Sequence, residues 1–203
     1  MMDRGRLEAF SDGVFAVAIT LLALDLGVTG PEGGPLARQL VEHWPVFASY
    51  VVSFFTIGII WVNHHALFSL MARLDRAQLF WNLLLLMFVV AIPFATSTLA
   101  DYLRHGSRSA TVAGLLYAGV MEGMSLSFTA IFVHALRAGL LSNPPPPEER
   151  RRAVLQFGLG AASYVVAMAA AFVSPILTLI LAGILAGYYV FQHTPDGGDV
   201  ESA

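Results

Sequence analysis

The sequence predicts an all-α, polytopic membrane protein with six transmembrane helices and both termini in the cytoplasm. Of its 203 residues, 57% are hydrophobic and only 12% are charged, and the mean hydropathy is +0.69. Soluble domains carry about 25% charged residues. The apolar residues are also grouped in runs that approach or exceed the roughly 20 residues a helix needs to cross a bilayer. Composition and run length together exclude a soluble domain.

Six apolar runs are candidate transmembrane helices. The last two are separated at Ser174-Pro175, because the residue before a proline is pushed out of the helical region. As one kinked helix, they would be about twice the length that a bilayer accommodates. A cleavable signal peptide is the alternative for the first run, but Asp12 interrupts it and five further runs follow. The predicted spans are residues 7–26, 44–71, 77–99, 110–136, 154–173 and 175–191.

The orientation follows from arginine, since the sequence lacks lysine and all eleven basic residues are arginines. A six-span topology places eight of them on one side of the membrane and three on the other. Basic residues are enriched in cytoplasmic loops, so both termini are predicted to be cytoplasmic. The eight are Arg4, Arg6, Arg73, Arg76, Arg137, Arg150, Arg151 and Arg152, and the three are Arg38, Arg104 and Arg108.

The connections divide the chain into two parts. Residues 1–141 hold the first four helices, residues 142–153 form a proline-rich cytoplasmic linker, and residues 154–203 hold the last two helices and a short polar tail. Consecutive prolines stiffen the linker. The external connection 27–43 is rich in glycine and proline. No residue-level repeat relates the two parts, so nothing in the sequence supports a transporter built from inverted repeats.

The first helix carries one hydroxyl within an apolar stripe. Val17, Thr20, Leu21 and Leu24 are spaced i, i+3, i+4 and i+7 and so share one face. In a single membrane helix, such a stripe indicates packing against a neighbour. In a ring of identical helices it would line a narrow axial pore, with apolar constrictions that gate by dewetting. The residues alone leave both interpretations open.

Polar side chains gather where the first three helices meet the cytoplasm. Such groups are costly at membrane depth unless they face protein or water, so Arg6, Ser11 and Asp12 predict an inward-facing cluster. Arg6 and Asp12 are a candidate ion pair. A buried network with the next two helices is expected. Its further members are Trp61, Asn63, His64 and His65 near the end of the second helix and Trp81 and Asn82 near the start of the third.

Metal binding is the alternative for His64 and His65. Adjacent residues on a helix point about 100° apart, so the pair cannot easily share one ion. The chain has no cysteine and therefore no thiolate ligand, thiol nucleophile or disulfide. We predict hydrogen bonding for the histidines, no metal site and no cofactor.

The start of the first helix also carries a family signature. Arg6, Phe10, Ser11 and Asp12 form the pattern R-x-x-x-F-S-D. It resembles the signature of the transmembrane protein 175 family, the lysosomal potassium channels and their prokaryotic relatives. The cluster of Trp61, Asn63, His64 and His65 is similar to that family as well. These motifs lie in the first third of the chain.

The resemblance implies a moderately potassium-selective cation channel and not an enzyme. It implies a homotetramer in a cell membrane, the inner or plasma membrane of a prokaryote, with the first helix of each subunit lining the pore. Val17, Thr20, Leu21 and Leu24 would face the axis, with the permeant potassium ion near Thr20. The expected partners are further copies of the chain, the lipid bilayer and potassium ions, and no nucleic acid. The sequence has no Thr-Val-Gly-Tyr-Gly run, so a side-chain constriction would select the ion.

Two carboxylates have two interpretations each. Glu122 lies deep in the fourth span, where an ionisable group is a functional hypothesis by default. Its alternative is a structural glutamate that is protonated or paired with an arginine. Asp25 ends the first helix on the external side, where four copies would form an acidic ring that concentrates cations. Its alternative is a solvated charge at a helix end.

Two other function classes fit some of the residues. A proton-coupled cation transporter would use Glu122 and either His64 or His65 as relay groups. An intramembrane hydrolase would need a nucleophile and a base that converge at one depth. Ser11 and Asp12 are neighbours in the sequence and do not have that geometry, so the hydrolase ranks last.

Overall fold

The computed structural model describes residues 4–28, 30–103 and 108–191 and shows the predicted all-α protein. Within those ranges the chain forms seven α-helices and two short 3₁₀ turns, and no strand. The helices are α1 (Arg4–Leu22), α2 (Leu36–Glu42), α3 (Trp44–Ser69), α4 (Arg76–Tyr102), α5 (Arg108–Arg137), α6 (Pro147–Ala171) and α7 (Pro175–Phe191). The 3₁₀ turns are Ala23–Asp25 and Pro31–Gly33. Arg104 and the predicted polar tail 192–203 lie outside the described residues.

Six of the helices correspond to the six predicted spans. Five are long and apolar enough to cross a membrane, namely α1 with its 3₁₀ turn, α3, α4, α5 and α6, and α7 is a shorter apolar helix. The break between α6 and α7 confirms two separate helices in place of one kinked helix. α6 begins at Pro147, inside the predicted linker. Proline is favoured at the start of a helix because its missing N–H has no partner there in any case.

The first span and the external connection differ from the prediction. α1 stops at Leu22, and a tighter 3₁₀ turn follows, so Leu24 and Asp25 lie beyond the α-helix. Leu24 is therefore beyond the α-helix, but its side chain is exposed, as is that of Val17. The connection 27–43 contains α2, a helix that its glycine and proline content did not predict.

The pair α4 and α5 forms the centre of the bundle. Half of the apolar span of each is buried, against 28% in α1 and α3 and 25% in α6. α1 and α3 pack against α4, while α6 and α7 pack against α5. The backbone of α5 comes close to the α6–α7 turn at Gly114, where an added Cβ would lie 3.1 Å from that of Ala171. This packing brings the starts of α1 and α4 together with the end of α3.

At the cytoplasmic end the α3–α4 and α5–α6 connections pair through their backbones. The N–H of Ala72 donates to the carbonyl oxygen of Leu140 at 2.8 Å, and the N–H of Ser142 donates to that of Leu70 at 2.9 Å. The two hydrogen bonds join the two connections in a short antiparallel contact. This contact links the first half of the chain to the second.

Candidate pore-facing helix and its polar network

α1 presents two different faces. One face packs into the bundle, and its buried side chains recur at intervals of three and four residues, which is the period of a helix face. The sequence folds this way because the apolar side chains Leu7, Phe15 and Leu22 are almost fully removed from solvent, with Ser11 among them. The buried face consists of Leu7, Ser11, Phe15, Ala18 and Leu22.

The opposite face carries the predicted stripe. Val17 is 55% exposed, Leu21 is 38% exposed and Leu24 is 77% exposed, and Thr20 is exposed between them. The Thr20 hydroxyl donates its one proton to the Val17 carbonyl oxygen at 2.9 Å. Since a hydroxyl oxygen has two further lone pairs, Thr20 keeps acceptor capacity for a cation. The described chain leaves this face available to a neighbour, a pore or lipid.

A buried network of three side chains joins α1, α3 and α4. The Nδ2 group of Asn82 donates to the Ser11 hydroxyl at 3.0 Å, and its Oδ1 accepts from His64 Nε2 at 2.8 Å. All three side chains are at most 1% exposed. An amide oxygen only accepts, so the pairing assigns a proton to His64 Nε2. Asn82 therefore fixes three helices relative to one another.

The His64 ring is also held by two phenylalanines. Its centroid lies 4.4 Å from that of Phe68 in a stacked arrangement and 5.4 Å from that of Phe15 in an edge-to-face arrangement. Offset and edge-on ring pairs add to the energy of burial. The apolar rings keep water from the hydrogen bond between His64 and Asn82, which suits a structural role for this histidine.

Asp12 makes a second link between α1 and α3, and its partner differs from the expected one. Its Oδ1 accepts from the Trp61 indole N–H at 2.9 Å. Arg6 is exposed, and in the described part of the chain it forms no ion pair with Asp12, so the suggested Arg6–Asp12 pair is not formed. Arg4 points to the bundle instead and donates to the carbonyl oxygens of Ser69 and Met71, both at 3.2 Å.

The other predicted cluster members lie outside the network. His65, Trp81 and Phe10 are exposed. Asn63 is half-buried and lines a separate cavity of about 50 Å³ between α3, α5, α6 and α7. Among the described residues no group of three or more His, Asp or Glu side chains is placed to hold a metal ion. The structure thus brings together Ser11, His64 and Asn82, and separately Asp12 and Trp61.

The two carboxylates of interest have different surroundings. Glu122 is half-buried in α5, and its Oε2 atom is buried with no hydrogen-bond partner among the described residues. No described arginine forms an ion pair with Glu122, so of the two structural options only the protonated glutamate remains beside the functional interpretation. Asp25 is exposed in the 3₁₀ turn after α1.

Sequence reasoning gave no role in the network to Arg4, Phe15 or Phe68. Arg4 entered the sequence argument only as one of the arginines that set the membrane orientation. It lies one turn before Glu8 at the start of the same helix, and its guanidinium lies 3.8 Å from the Glu8 carboxylate. Phe15 lies four residues after Ser11, and Phe68 four residues after His64. That spacing puts each ring on the same helix face as its polar neighbour, which is a signal that the sequence does contain.

The sequence is similar to those of known channels. A model of the family described as endosomal/lysosomal potassium channel TMEM175 matches residues 6–93. A potassium channel of Streptomyces collinus is 49% identical over 197 residues, which cover 96% of this chain and 95% of the relative. The human endosomal/lysosomal proton channel TMEM175 is 37% identical over 113 residues, which cover 51% of this chain and 22% of the relative.

A solved structure agrees with these matches. The crystal structure of a lysosomal potassium-selective channel TMEM175 homolog from Chamaesiphon minutus has a TM-score of 0.80 and 39% identity, covering 92% of this chain and 96% of that chain. The class of protein is therefore an ion channel and not an enzyme. The chain belongs to the TMEM175 family, which confirms the resemblance drawn from R-x-x-x-F-S-D.

Proposed function

We propose that the chain forms a potassium-selective cation channel whose pore is lined by α1. The observation that supports this is the division of α1 into two faces. Ser11, Phe15 and Leu22 are buried in the bundle, while Val17, Thr20 and Leu24 are exposed. The polar network fixes the rotation of α1, so the stripe must face away from its own subunit. The potassium-channel names of the similar proteins support potassium as the permeant ion.

The stripe has the chemistry of a gated constriction. Val17, Leu21 and Leu24 are apolar, and narrow apolar rings hold back ions by excluding their hydration water. Thr20 places a hydroxyl oxygen with acceptor capacity between them. Such an oxygen can replace one water of a partly dehydrated potassium ion. Selectivity from one ring of hydroxyls would be moderate.

A single subunit cannot enclose such a pore. We infer a closed cyclic homo-oligomer, since closed rotational symmetry is the common arrangement of homo-oligomers, and the family resemblance favours a tetramer. Four copies of Asp25 would then ring the external mouth and raise the local cation concentration. The assembly would sit in the cell membrane of a prokaryote. Native mass spectrometry of the purified protein in mild detergent measures the number of subunits.

Thr20→Val tests the function most directly. The change keeps the side-chain volume and deletes the hydroxyl, so we expect a several-fold lower potassium-to-sodium permeability ratio or a lower conductance. Purified protein is reconstituted into liposomes, and reversal potentials are measured with potassium on one side and sodium on the other. Thr98→Val is the matched control, because Thr98 also donates within its helix, to the Phe94 carbonyl oxygen at 2.8 Å, but lies in α4.

The result separates selectivity from folding. Thr98→Val should leave the ratio unchanged, and both variants should assemble as the wild type does. A Thr20→Val channel with unchanged ratio and unchanged conductance would exclude Thr20 as the selective element.

Proton-coupled cation transport is the second candidate, and Glu122 favours it. A carboxylate oxygen that is buried without a partner in a membrane-spanning helix marks a candidate proton site. The human relative is named a proton channel, which supports proton movement through a related protein but not its coupling to potassium. A transporter predicts that a pH gradient drives saturable potassium flux and that Glu122→Gln abolishes it. A channel predicts conductance that Glu122→Gln leaves intact.

A further inference from the structure

The external connection between α1 and α3 is folded around one buried side chain. Gln39, in α2, is only 3% exposed, and its amide nitrogen donates to the carbonyl oxygens of Gly30 at 2.7 Å and Gly34 at 2.8 Å. Both glycines have positive φ angles, +78° and +90°, which other residues rarely adopt. The connection is therefore a defined structure that presents α2 in one orientation.

α2 has a polar flank and an apolar flank in addition to the face that carries Gln39. Arg38 and Glu42 form an ion pair at 2.7 Å on the polar flank. Because the pair is neutral as a whole, this flank offers no net charge to a partner. The apolar flank has three exposed side chains, Leu36, Leu40 and Val41, of which Val41 is the most exposed at 72%. Trp44, the first residue of α3, is exposed just beyond them.

We propose that α2 is an interfacial helix that lies on the external leaflet of the membrane, with this apolar flank in the lipid. α2 lies between the end of α1 and the start of α3, both of which are membrane spans, so its depth is that of the membrane surface. Trp44 stands at the boundary, where tryptophan is enriched because its ring is apolar and its N–H is polar.

The same apolar surface continues along α3. Val51 and Phe55, two and three turns after Trp44, are exposed on that membrane span, and we assign their surface to lipid. Because the apolar flank of α2 continues this surface, lipid is the partner that suits it. The ion pair on the polar flank is neutral, so binding should not need anionic headgroups. Contact of α2 with lipid does not depend on which ion the protein conducts.

The cysteine-free chain allows a direct test with single nitroxide labels. Leu40→Cys places the label on the apolar flank, and Arg38→Cys is the matched control on the polar flank of the same helix. Both proteins are reconstituted into nanodiscs of zwitterionic lipid, and collisions with oxygen, which enters lipid, are compared with collisions with a water-soluble nickel chelate. We expect the Leu40 label to favour oxygen and the Arg38 label to favour nickel, with the same result when anionic lipid is added.

Two outcomes would overturn the proposal. Equal nickel accessibility at both positions would place the apolar flank in water. Protection of the Leu40 label from both reagents, with broadening by a second label, would show that another copy of the chain covers it. Val41→Cys repeats the measurement on the same flank if Leu40→Cys fails to assemble.

Discussion

The cytoplasmic and external halves of α1 are held in different ways. In the cytoplasmic half, Ser11 bonds to Asn82 and Asp12 bonds to Trp61. In the external half, Ala18 and Leu22 are buried by apolar contact, and among the described residues no side-chain hydrogen bond joins this half to another helix. Hydrogen bonds are directional, whereas apolar burial is not. The network therefore fixes the rotation of α1 at one end and leaves the other end easier to shift.

The difference matters because the exposed stripe lies in the external half. Val17, Thr20 and Leu24 follow the anchored segment and end in a 3₁₀ turn. A small tilt or rotation about the cytoplasmic anchor would move these side chains most. For the proposed pore, we infer that the anchored half sets where the stripe points and that movement of the external half would open the proposed constriction.

The largest effect is expected where the anchor is broken at its centre. Asn82→Leu removes both hydrogen bonds and leaves the Ser11 hydroxyl and the His64 N–H buried without partners. Each such group costs about 1–3 kcal/mol, so we expect the two together to cost roughly 2–6 kcal/mol of stability and to cause poor assembly. Thermal unfolding and gel filtration in detergent measure both.

Leu83→Ala is the control for this change. Leu83 is the next residue of α4 but is exposed, so its truncation should leave unfolding and assembly close to wild type. An Asn82→Leu protein as stable as Leu83→Ala would mean that the network does not anchor α1.

A second pair of variants tests the external half. Leu24→Ala shortens an exposed side chain of the stripe, so it should widen the constriction and raise cation flux several-fold with little loss of stability. Leu22→Ala truncates a side chain that is 3% exposed, and it should cost about 2–5 kcal/mol without raising flux per assembled channel. Liposome flux normalised to assembled protein, together with thermal unfolding, compares the two. The opposite pattern would place Leu22 at the constriction and Leu24 in a packing contact.

The fold was predictable because composition alone requires membrane spans. The bounds of α7 follow from Pro175 and agree with the structure. The approach of Ser11, His64 and Asn82 was also predictable, since the helices that carry them meet the cytoplasm at the same depth. The 3₁₀ turn that carries Leu24 and the helix α2 were not predicted, because apolar periodicity does not show where an α-helix tightens or that Gln39 bonds to the carbonyl oxygens of Gly30 and Gly34.

The detailed pairing within the polar cluster was beyond the sequence. Helices that place polar residues at the same membrane depth can still be rotated differently, so the sequence does not say which face of α3 turns inward. Side chains of adjacent residues on a helix point about 100° apart. His64 is therefore buried while His65 is exposed. The same holds for α1, where Arg4 points to the bundle and Arg6 does not. Rotation of each helix, set by packing on α4, decides these pairings.

The smallest effect concerns the contact that holds α4 itself at the cytoplasmic end. Asp75 caps α4, with its Oδ1 accepting the Gln78 N–H at 2.7 Å, and its Oδ2 lies 2.8 Å from Nε2 of His134 on α5. The Gln78 hydrogen bond, and secondarily His134, lower the pKa of Asp75, although partial burial opposes them. A carboxylate whose pKa is lower in the folded than in the unfolded state stabilises the fold at pH values above its unfolded pKa, about 3.9. This contribution is lost as the pH falls through the folded-state pKa.

We therefore expect the Asp75 contact to be pH-dependent in a defined window. Asp75→Asn keeps a capping oxygen but loses the charge, so it should lower stability at pH 7 by about 1 kcal/mol or less, within the range of a helix cap. The difference from wild type should persist down to about pH 4 and fade below it. Thermal unfolding in detergent between pH 7 and pH 3 measures it, with Asp25→Asn as the control at an exposed aspartate. A difference that stays constant to pH 3 would show that the charge of Asp75 does not help to hold α4, and with it the anchor of α1.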